Sequence, residues 1–414
     1  MKFVEKLKSL SYRARLAAYL QAVYFFGESM GEVFFNVFLW RSTGLIKPIA
    51  VYNFYYWAVL ILGFVLIGYG FKKRGMAQLF RISFLLRALF YGLILVLKEQ
   101  AGDLVIWLGM LGGIAAAFYW AAHQVMVFSG TSDDTREMFY GVAGSLTAAV
   151  YIVGPVLAGW LIWIGSKGSE GSLYGYYLVF GLLALVFLAS ELLIKQTRDV
   201  SFEKFSLKGT LSLFKERPVW RLNLWRSFID GLMIPKMFLW AVIAFVILKN
   251  ELWLGAVMGV FAALAALSNP VIGALFKPRL RKLFSSIGAG LLVIADVVYP
   301  WRMDSWGLII NQVFGEVIGW PLFSFTWIAF YFLSIEIDKE GEKRQFEYFA
   351  SHEIWQGVGR LLSIGVFILL VNQANQLMMA RWWFGGLSLL YIVIWRLVMK
   401  IRQVLIQQGY SEEG

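Results

Sequence analysis

The chain has 414 residues, 59% of them hydrophobic and 17% aromatic, with 15% charged and a mean hydropathy of +0.67. That composition lies outside the soluble globular class. There is no cysteine, which excludes disulfides, thiol catalysis and thiolate metal sites, and a net charge of +12 needs an explanation other than nucleic acid if its basic residues follow a membrane topology.

One helical crossing of a hydrocarbon core ~30 Å thick takes ~20 apolar residues. Residues 1–15 form a basic leading segment with Lys2, Lys6, Lys8, Arg13 and Arg15, and the apolar run after it is too long for a signal-peptide core, so it is expected to remain in the mature protein. The first predicted span, Leu16–Trp40, carries Gln21, Glu28, Glu32 and Asn36 within one quadrant of a helix. Two glutamates one turn apart repel when both are ionised, so at least one is expected to hold a proton or await a cation.

The second span, Ala50–Tyr69, is followed by a turn with Lys72, Lys73 and Arg74, and the third, Leu79–Leu97, holds Arg87, read as a structural partner outside the main site. The fourth, Leu104–Phe128, presents Trp120, His123 and Gln124. Arg136 precedes the fifth, Phe139–Ile164, which contains Gly154-Pro155-Val156-Leu157-Ala158-Gly159. The sixth, Tyr174–Ile194, has no comparable polar stripe, and a polar stretch, 195–217, reads as a linker.

The seventh span, Trp220–Leu248, carries Arg226, Asp230 and Lys236; Arg226 and Asp230 are four apart and placed to neutralise each other on one helix face. The eighth, Leu252–Phe276, precedes Lys277, Arg279, Arg281 and Lys282. The ninth, Ser285–Trp301, holds Asp296, read like Arg87 as structural. The tenth, Trp306–Ile335, carries Glu316, Trp320, Ser324 and Trp327. After Arg344 the eleventh, Phe346–Val371, has His352, Gln356 and Arg360 at four-residue steps, and the twelfth, Leu377–Met399, has none.

A charge at mid-helix in a bilayer costs ~2.5–3.5 kcal/mol on insertion scales, so these groups require neutralisation, pairing or a water-filled cavity. Individually, His123 serves as a titrating group or as an interhelical hydrogen bonder, and the deep tryptophans as stacking platforms or as packing.

With a cytoplasmic N-terminus, one face of the predicted topology holds 27 Lys and Arg and the other seven, which places both termini inside and supports an even number of spans. The halves also repeat. Gly31 with Phe38-Leu39-Trp40 recurs as Gly231 with Phe238-Leu239-Trp240, and Gly68-x-x-Phe71-Lys72-x-Arg74 recurs as Gly273-x-x-Phe276-Lys277-x-Arg279. Arg136 and Tyr140 match Arg344 and Tyr348. Two parallel six-helix repeats, 16–194 and 218–402, with a linker at 195–217 and a tail at 403–414, is a plan used by transporters that rock about a central site.

On these residues the chain resembles the major facilitator superfamily along essentially its whole length. The turn with Gly68, Lys73 and Gly75 is similar to that family's cytoplasmic gate motif, with Lys72 where the family has Asp and Met76 where it has Arg; Gly154-Pro155 and Gly159 look like the signature of its exporting antiporters. The resemblance implies an all-α integral membrane fold of twelve transmembrane helices with both termini cytoplasmic. It also implies a central cavity lined by the first, fourth, seventh and tenth helices, flanked by the second, fifth, eighth and eleventh.

The expectation is a secondary active transporter of a small amphipathic, zwitterionic or sugar-like solute, proton-coupled through Glu28 or Glu32; if Arg360 or Lys236 approaches across the cavity, the nearer glutamate gives up its proton more readily. Substrate contacts are expected from Asn36, Trp120, His123, Gln124, Arg226, Asp230, Lys236, Glu316, Trp320, Gln356 and Arg360. Gating is expected from Lys72, Lys73, Arg74, Arg136, Lys277, Arg279 and Arg344. Export is favoured over proton-symport uptake, a lipid-headgroup flippase, or a non-transporting sensor. No nucleotide-binding glycine loop, metal-ligand spacing or catalytic constellation occurs, so the expected energy source is a proton gradient, with no cofactor, no metal and no enzymatic activity. The expected partners are a small-molecule substrate and membrane lipids but no nucleic acid, for a monomer in the cytoplasmic (inner) membrane of the cell.

Overall fold

The computed structural model describes residues 10–70, 75–131, 133–167, 172–194, 206–338 and 344–410, and its regular structure there is entirely helical. The helices are α1 (Tyr12–Thr43), α2 (Ile46–Gly70), α3 (Met76–Leu97), α4 (Val105–Gly130), α5 (Asp133–Ser166), α6 (Tyr174–Ser190), α7 (Leu207–Glu216) and α8 (Pro218–Leu232). They continue as α9 (Pro235–Leu248), α10 (Glu251–Leu275), α11 (Arg281–Arg302), α12 (Ser305–Ile310), α13 (Trp320–Glu336), α14 (Gln345–Leu370), α15 (Gln376–Ser388) and α16 (Leu390–Gln407). A π-helical stretch, Asn311–Gly319, joins α12 to α13.

Among the described residues, 10 helical stretches are long and apolar enough to cross a membrane. They fall at ten of the twelve predicted spans. The first and sixth positions are occupied by α1, which carries Glu28 and Glu32, and by α6, an apolar helix of 17 residues. Local chemistry sets the ends: the Ser11 hydroxyl accepts the Ala14 N–H at the start of α1, and Gly44, at φ 68°, closes its other end by donating to the Trp40 carbonyl.

The chain divides into two compact units, one of residues 1–204 with 249–260 and one of residues 205–248 with 261–414. In the first, the opening turns of α10 pack on α5 with no room for side chains: a Cβ on Gly255 would lie 2.2 Å from the Pro155 carbonyl oxygen, and one on Gly159 would lie 2.5 Å from that of Glu251. Small residues of this kind let helix backbones approach where lipid supplies no hydrophobic drive. Glu251 is held there by Arg41 Nη1 at 2.6 Å and by the Tyr176 hydroxyl at 2.9 Å.

In the second unit, the seventh predicted span is broken. α8 ends at Leu232 and α9 begins at Pro235, whose missing N–H and fixed φ suit a helix start. The tenth span departs from α geometry over Asn311–Gly319, ending two residues before Pro321. Proline cannot donate to the carbonyl four residues back, that of Val317; the Ser268 hydroxyl does so instead, at 2.8 Å. Buried polar side chains sit at both irregularities, Lys236 in the first turn of α9 and Asn311 and Gln312 in the π-helical stretch.

Part of the 195–217 stretch is a helix, α7, rather than plain linker. Ser206 caps it through the Gly209 N–H, Leu213 buries fully beside Trp220, Leu224, Tyr331 and Tyr348, and Phe214 stacks on Trp355 at 4.8 Å. An apolar face every third or fourth residue suffices to dock so short a helix.

Candidate functional site

The first unit gathers its polar residues around a small cleft whose lining includes Glu28, Glu32, Asn53, Tyr56, Arg87 and Tyr91. Arg87, buried at 3% exposure on α3, forms an ion pair with Glu28 at 2.7 Å and donates to the Tyr24 and Tyr56 hydroxyls at 2.8 and 3.3 Å. Glu32 lies one turn beyond Glu28 on the same wall and has no hydrogen bond or ion pair among the described residues. Asn36 accepts from Asn53 Nδ2 at 3.3 Å. At the other end of the stripe, Gln21 bridges the Thr147 hydroxyl at 3.1 Å and His123 Nε2 at 2.9 Å, while Trp120 packs edge-on against Tyr24 and Phe25. Gln124 is half-buried, its Oε1 without a hydrogen bond.

The second unit holds two clusters. At the break before α9, Lys236 pairs with Asp296, donates to the Tyr391 hydroxyl at 3.2 Å and lies 4.5 Å from that ring's centroid. Asn311 in the π-helical stretch donates to the other oxygen of Asp296 at 2.6 Å and accepts from Trp240 Nε1 at 3.0 Å. In the other cluster, Gln356 donates to Asp230 at 2.6 Å and accepts from Arg360, which also reaches Glu353 at 3.1 Å. Arg226, 1% exposed, stacks its guanidinium 4.2 Å from the centroid of Trp327, and Ser227 beside it is 2.6 Å from His352 Nδ1. Glu316 and Trp320 are exposed on the surface of this unit.

Helical spans built around buried, paired ionisable groups, with broken helices beside them, are features found in transport proteins. The comparisons with known proteins agree. The family model of the Major Facilitator Superfamily matches residues 17–363. The chain belongs to the major facilitator superfamily. It is therefore a multi-pass membrane transporter of the secondary type and not an enzyme. An uncharacterized protein of Bacillus subtilis, YqgE, is 28% identical over 351 residues, covering 84% of this chain and 80% of that protein. The fold is similar to that of a bacterial homologue of the iron transporter ferroportin in an inward-facing state, with a TM-score of 0.66 at 14% identity over 94% of this chain and 98% of that one. It is similar as well to the fucose:proton symporter of E. coli, with a TM-score of 0.60 at 15% identity over 94% of this chain and 99% of that one.

Within this facilitator, several expected partnerships are redrawn. Glu28 meets Arg87, and Lys236 meets Asp296, so the two residues set aside as structural are the immediate partners of two expected site residues, and Lys236 and Arg360 have their acids within their own unit. Arg226 and Asp230 do not pair: Asp230 is taken by Gln356 from α14, and Arg226 has no carboxylate within ion-pair distance among the described residues. Tyr24, Tyr56 and Tyr91 around Arg87, and Tyr391, Asn311, Ser227 and His352 in the second unit, were not among the expected site residues. A Tyr52/Tyr56 pair at four-residue spacing was the one available signal for the tyrosine wall.

Of the expected gating residues, Lys72, Lys73 and Arg74 lie outside the described residues, as does the side chain of Arg136. Lys277 and Arg279 are exposed. Arg344 binds Glu347 at 2.7 Å, Glu216 at 3.1 Å and the Gly209 carbonyl at 3.0 Å, which pins α7 to the start of α14. At that junction the Ser212 hydroxyl, and after it Arg344, hold the Glu216 carboxyl below its ordinary range.

Proposed function

We propose that this facilitator is a proton-coupled secondary transporter of the cytoplasmic membrane, with twelve crossings and both termini inside. It carries a small amphipathic, zwitterionic or sugar-like solute by alternating access. The observation that carries the coupling is the first unit's cleft, where one carboxylate, Glu28, is neutralised by Arg87 and a second, Glu32, faces the same space with no ionic partner among the described residues. A proton on Glu32 removes the unpaired charge from a low-dielectric wall, and Arg87 can bias which glutamate is ionised by moving between them. Export is the direction supported by the partial Gly154-Pro155 signature, whose glycines also serve helix packing.

The test is proton flux into liposomes containing the purified protein and an internal pH-sensitive dye, with sugars, amino acids and amphipathic cations added in turn. A solute-triggered signal is expected for the wild type and is expected to be absent in Glu32→Gln and Glu28→Gln. Wild-type flux in both variants would sink the assignment. The sign of the signal under an imposed gradient distinguishes export by exchange from uptake by symport.

A further inference from the structure

The structure assigns to Arg226 the binding of an oxyanion, so that the transported solute carries a carboxylate or a phosphate. This rests on the transport reading above and names the substrate class for the second unit.

Four cations lie well inside the predicted spans. Three have a carboxylate at hand: Arg87 has Glu28 at 2.7 Å, Lys236 has Asp296, and Arg360 has Glu353 at 3.1 Å. Arg226 is the most deeply buried of the four, at 1% exposure, and has none among the described residues. Among the described residues its one hydrogen bond runs from Nη2 to the Ser227 hydroxyl at 3.3 Å, and its Nε is buried with no partner there. The acid one turn along α8, Asp230, already accepts from Gln356 at 2.6 Å.

A guanidinium has five N–H donors in a rigid fork that fits a carboxylate or phosphate edge-on, and here nearly all of that capacity is unused. A cation left in this condition is costly, and replacing it by an uncharged residue would relieve the cost, unless an anion completes it in part of the transport cycle. The surroundings fit such a guest. Ser227 and His352, 2.6 Å apart, supply further polar atoms at the guanidinium, and Trp327, partly buried, covers its face at 4.2 Å and provides an aromatic platform for the solute's apolar or sugar portion once the ring swings aside. An arginine kept only for packing would be served as well by an ion pair with Asp230, which the fold forgoes.

The experiment uses the full chain in phosphatidylcholine nanodiscs. Binding is followed by calorimetry and thermal unfolding with matched probes: glucose, glucose 6-phosphate and glucuronate; glycerol and glycerol 3-phosphate. At least one anionic member is expected to bind and raise the unfolding midpoint while its neutral counterpart does not. Arg226→Gln is expected to lose at least about tenfold in that affinity, with Arg226→Lys intermediate because a point charge replaces the fork. Without ligand, Arg226→Gln is expected to unfold at or above the wild-type midpoint.

Discs containing phosphatidylglycerol distinguish sources: stabilisation by that lipid and by no soluble anion assigns a lipid headgroup, and the reverse assigns a soluble solute. Equal anion binding by wild type and Arg226→Gln, binding of neutral members alone, or no anion response up to about 10 mM or in phosphatidylglycerol discs overturns the inference. Solute exchange in liposomes is read separately. Anion binding lost in Arg226→Gln, with no exchange of any solute by the wild type, would overturn transport and leave the anion site standing. Exchange of neutral solutes only, unchanged in Arg226→Gln, would do the opposite.

Discussion

The polar cluster of the first unit ends with a carboxylate to spare, and that of the second ends with a guanidinium. Around Arg87 there are two acids and one base, and its Nη2 reaches Glu28 and the Tyr24 and Tyr56 hydroxyls. Among the described residues around α8 and α14, Asp230 is engaged by Gln356 and Glu353 by Arg360, and the base left over is Arg226. A surplus acid suits a proton and a surplus base suits an anion. Both surpluses sit among ion pairs whose purpose is to make the rest of the cluster neutral enough to remain in an apolar span. The difference lies in which charge the fold leaves unanswered.

The sharpest way to break this comparison is to remove a paired cation. Arg87→Leu and Lys236→Met each leave a buried carboxylate uncompensated and are expected to cost ~3–5 kcal/mol in the unfolding of detergent-solubilised protein. The double changes Arg87→Leu with Glu28→Leu and Lys236→Met with Asp296→Leu are expected to recover most of the loss. If either single change is as harmless as the one expected for ligand-free Arg226→Gln, the division into paired and unpaired cations fails.

A smaller effect separates the two units through their repeated glycines. A Cβ on Gly31 would lie 2.0 Å from the Tyr91 hydroxyl oxygen, and one on Gly231 would lie 2.0 Å from the Gln356 carbonyl oxygen. A tyrosine side chain can swing away and a helix backbone cannot, so within the ~1–3 kcal/mol typical of overpacking, Gly231→Ala is expected to destabilise more than Gly31→Ala. Thermal unfolding of both variants, side by side, checks the order.

The smallest expected effect is at the surface. Glu216 is held below its ordinary range when folded, so its contribution to docking α7 is fully present above the unfolded value near ~4.3 and is lost as pH falls through the lower folded value. Hydrogen exchange across Leu207–Glu216 is expected to quicken on acidification relative to the neighbouring span, and Glu216→Gln is expected to flatten that dependence.

Much of the architecture was legible because apolar runs of crossing length are a coarse signal, and charged residues inside them stand out against their background. Glu28, Glu32, Arg226, Asp230, Lys236 and Arg360 were all visible in this way. Their partners were not. Glu28 and Arg87 are joined from different helices, Lys236 and Asp296 are 60 residues apart, and Gln356 reaches Asp230 across 126. Spacing along one helix suggested Arg226 with Asp230, but an i,i+4 pair competes with every side chain that a neighbouring helix presents, and here a glutamine from α14 won. The fold within 195–217 was missed because α7 is a single short amphipathic helix in a stretch whose overall polarity reads as linker.

Sequence by itself determined that this protein is a bundle of membrane-crossing helices, since apolar runs of crossing length are a property of the chain in order. Only the tertiary structure decided which charges cancel. Helix packing brings side chains together irrespective of their separation in the chain, and in a low-dielectric span a distance of a few ångströms separates a neutralised pair from a charge still awaiting its counterpart.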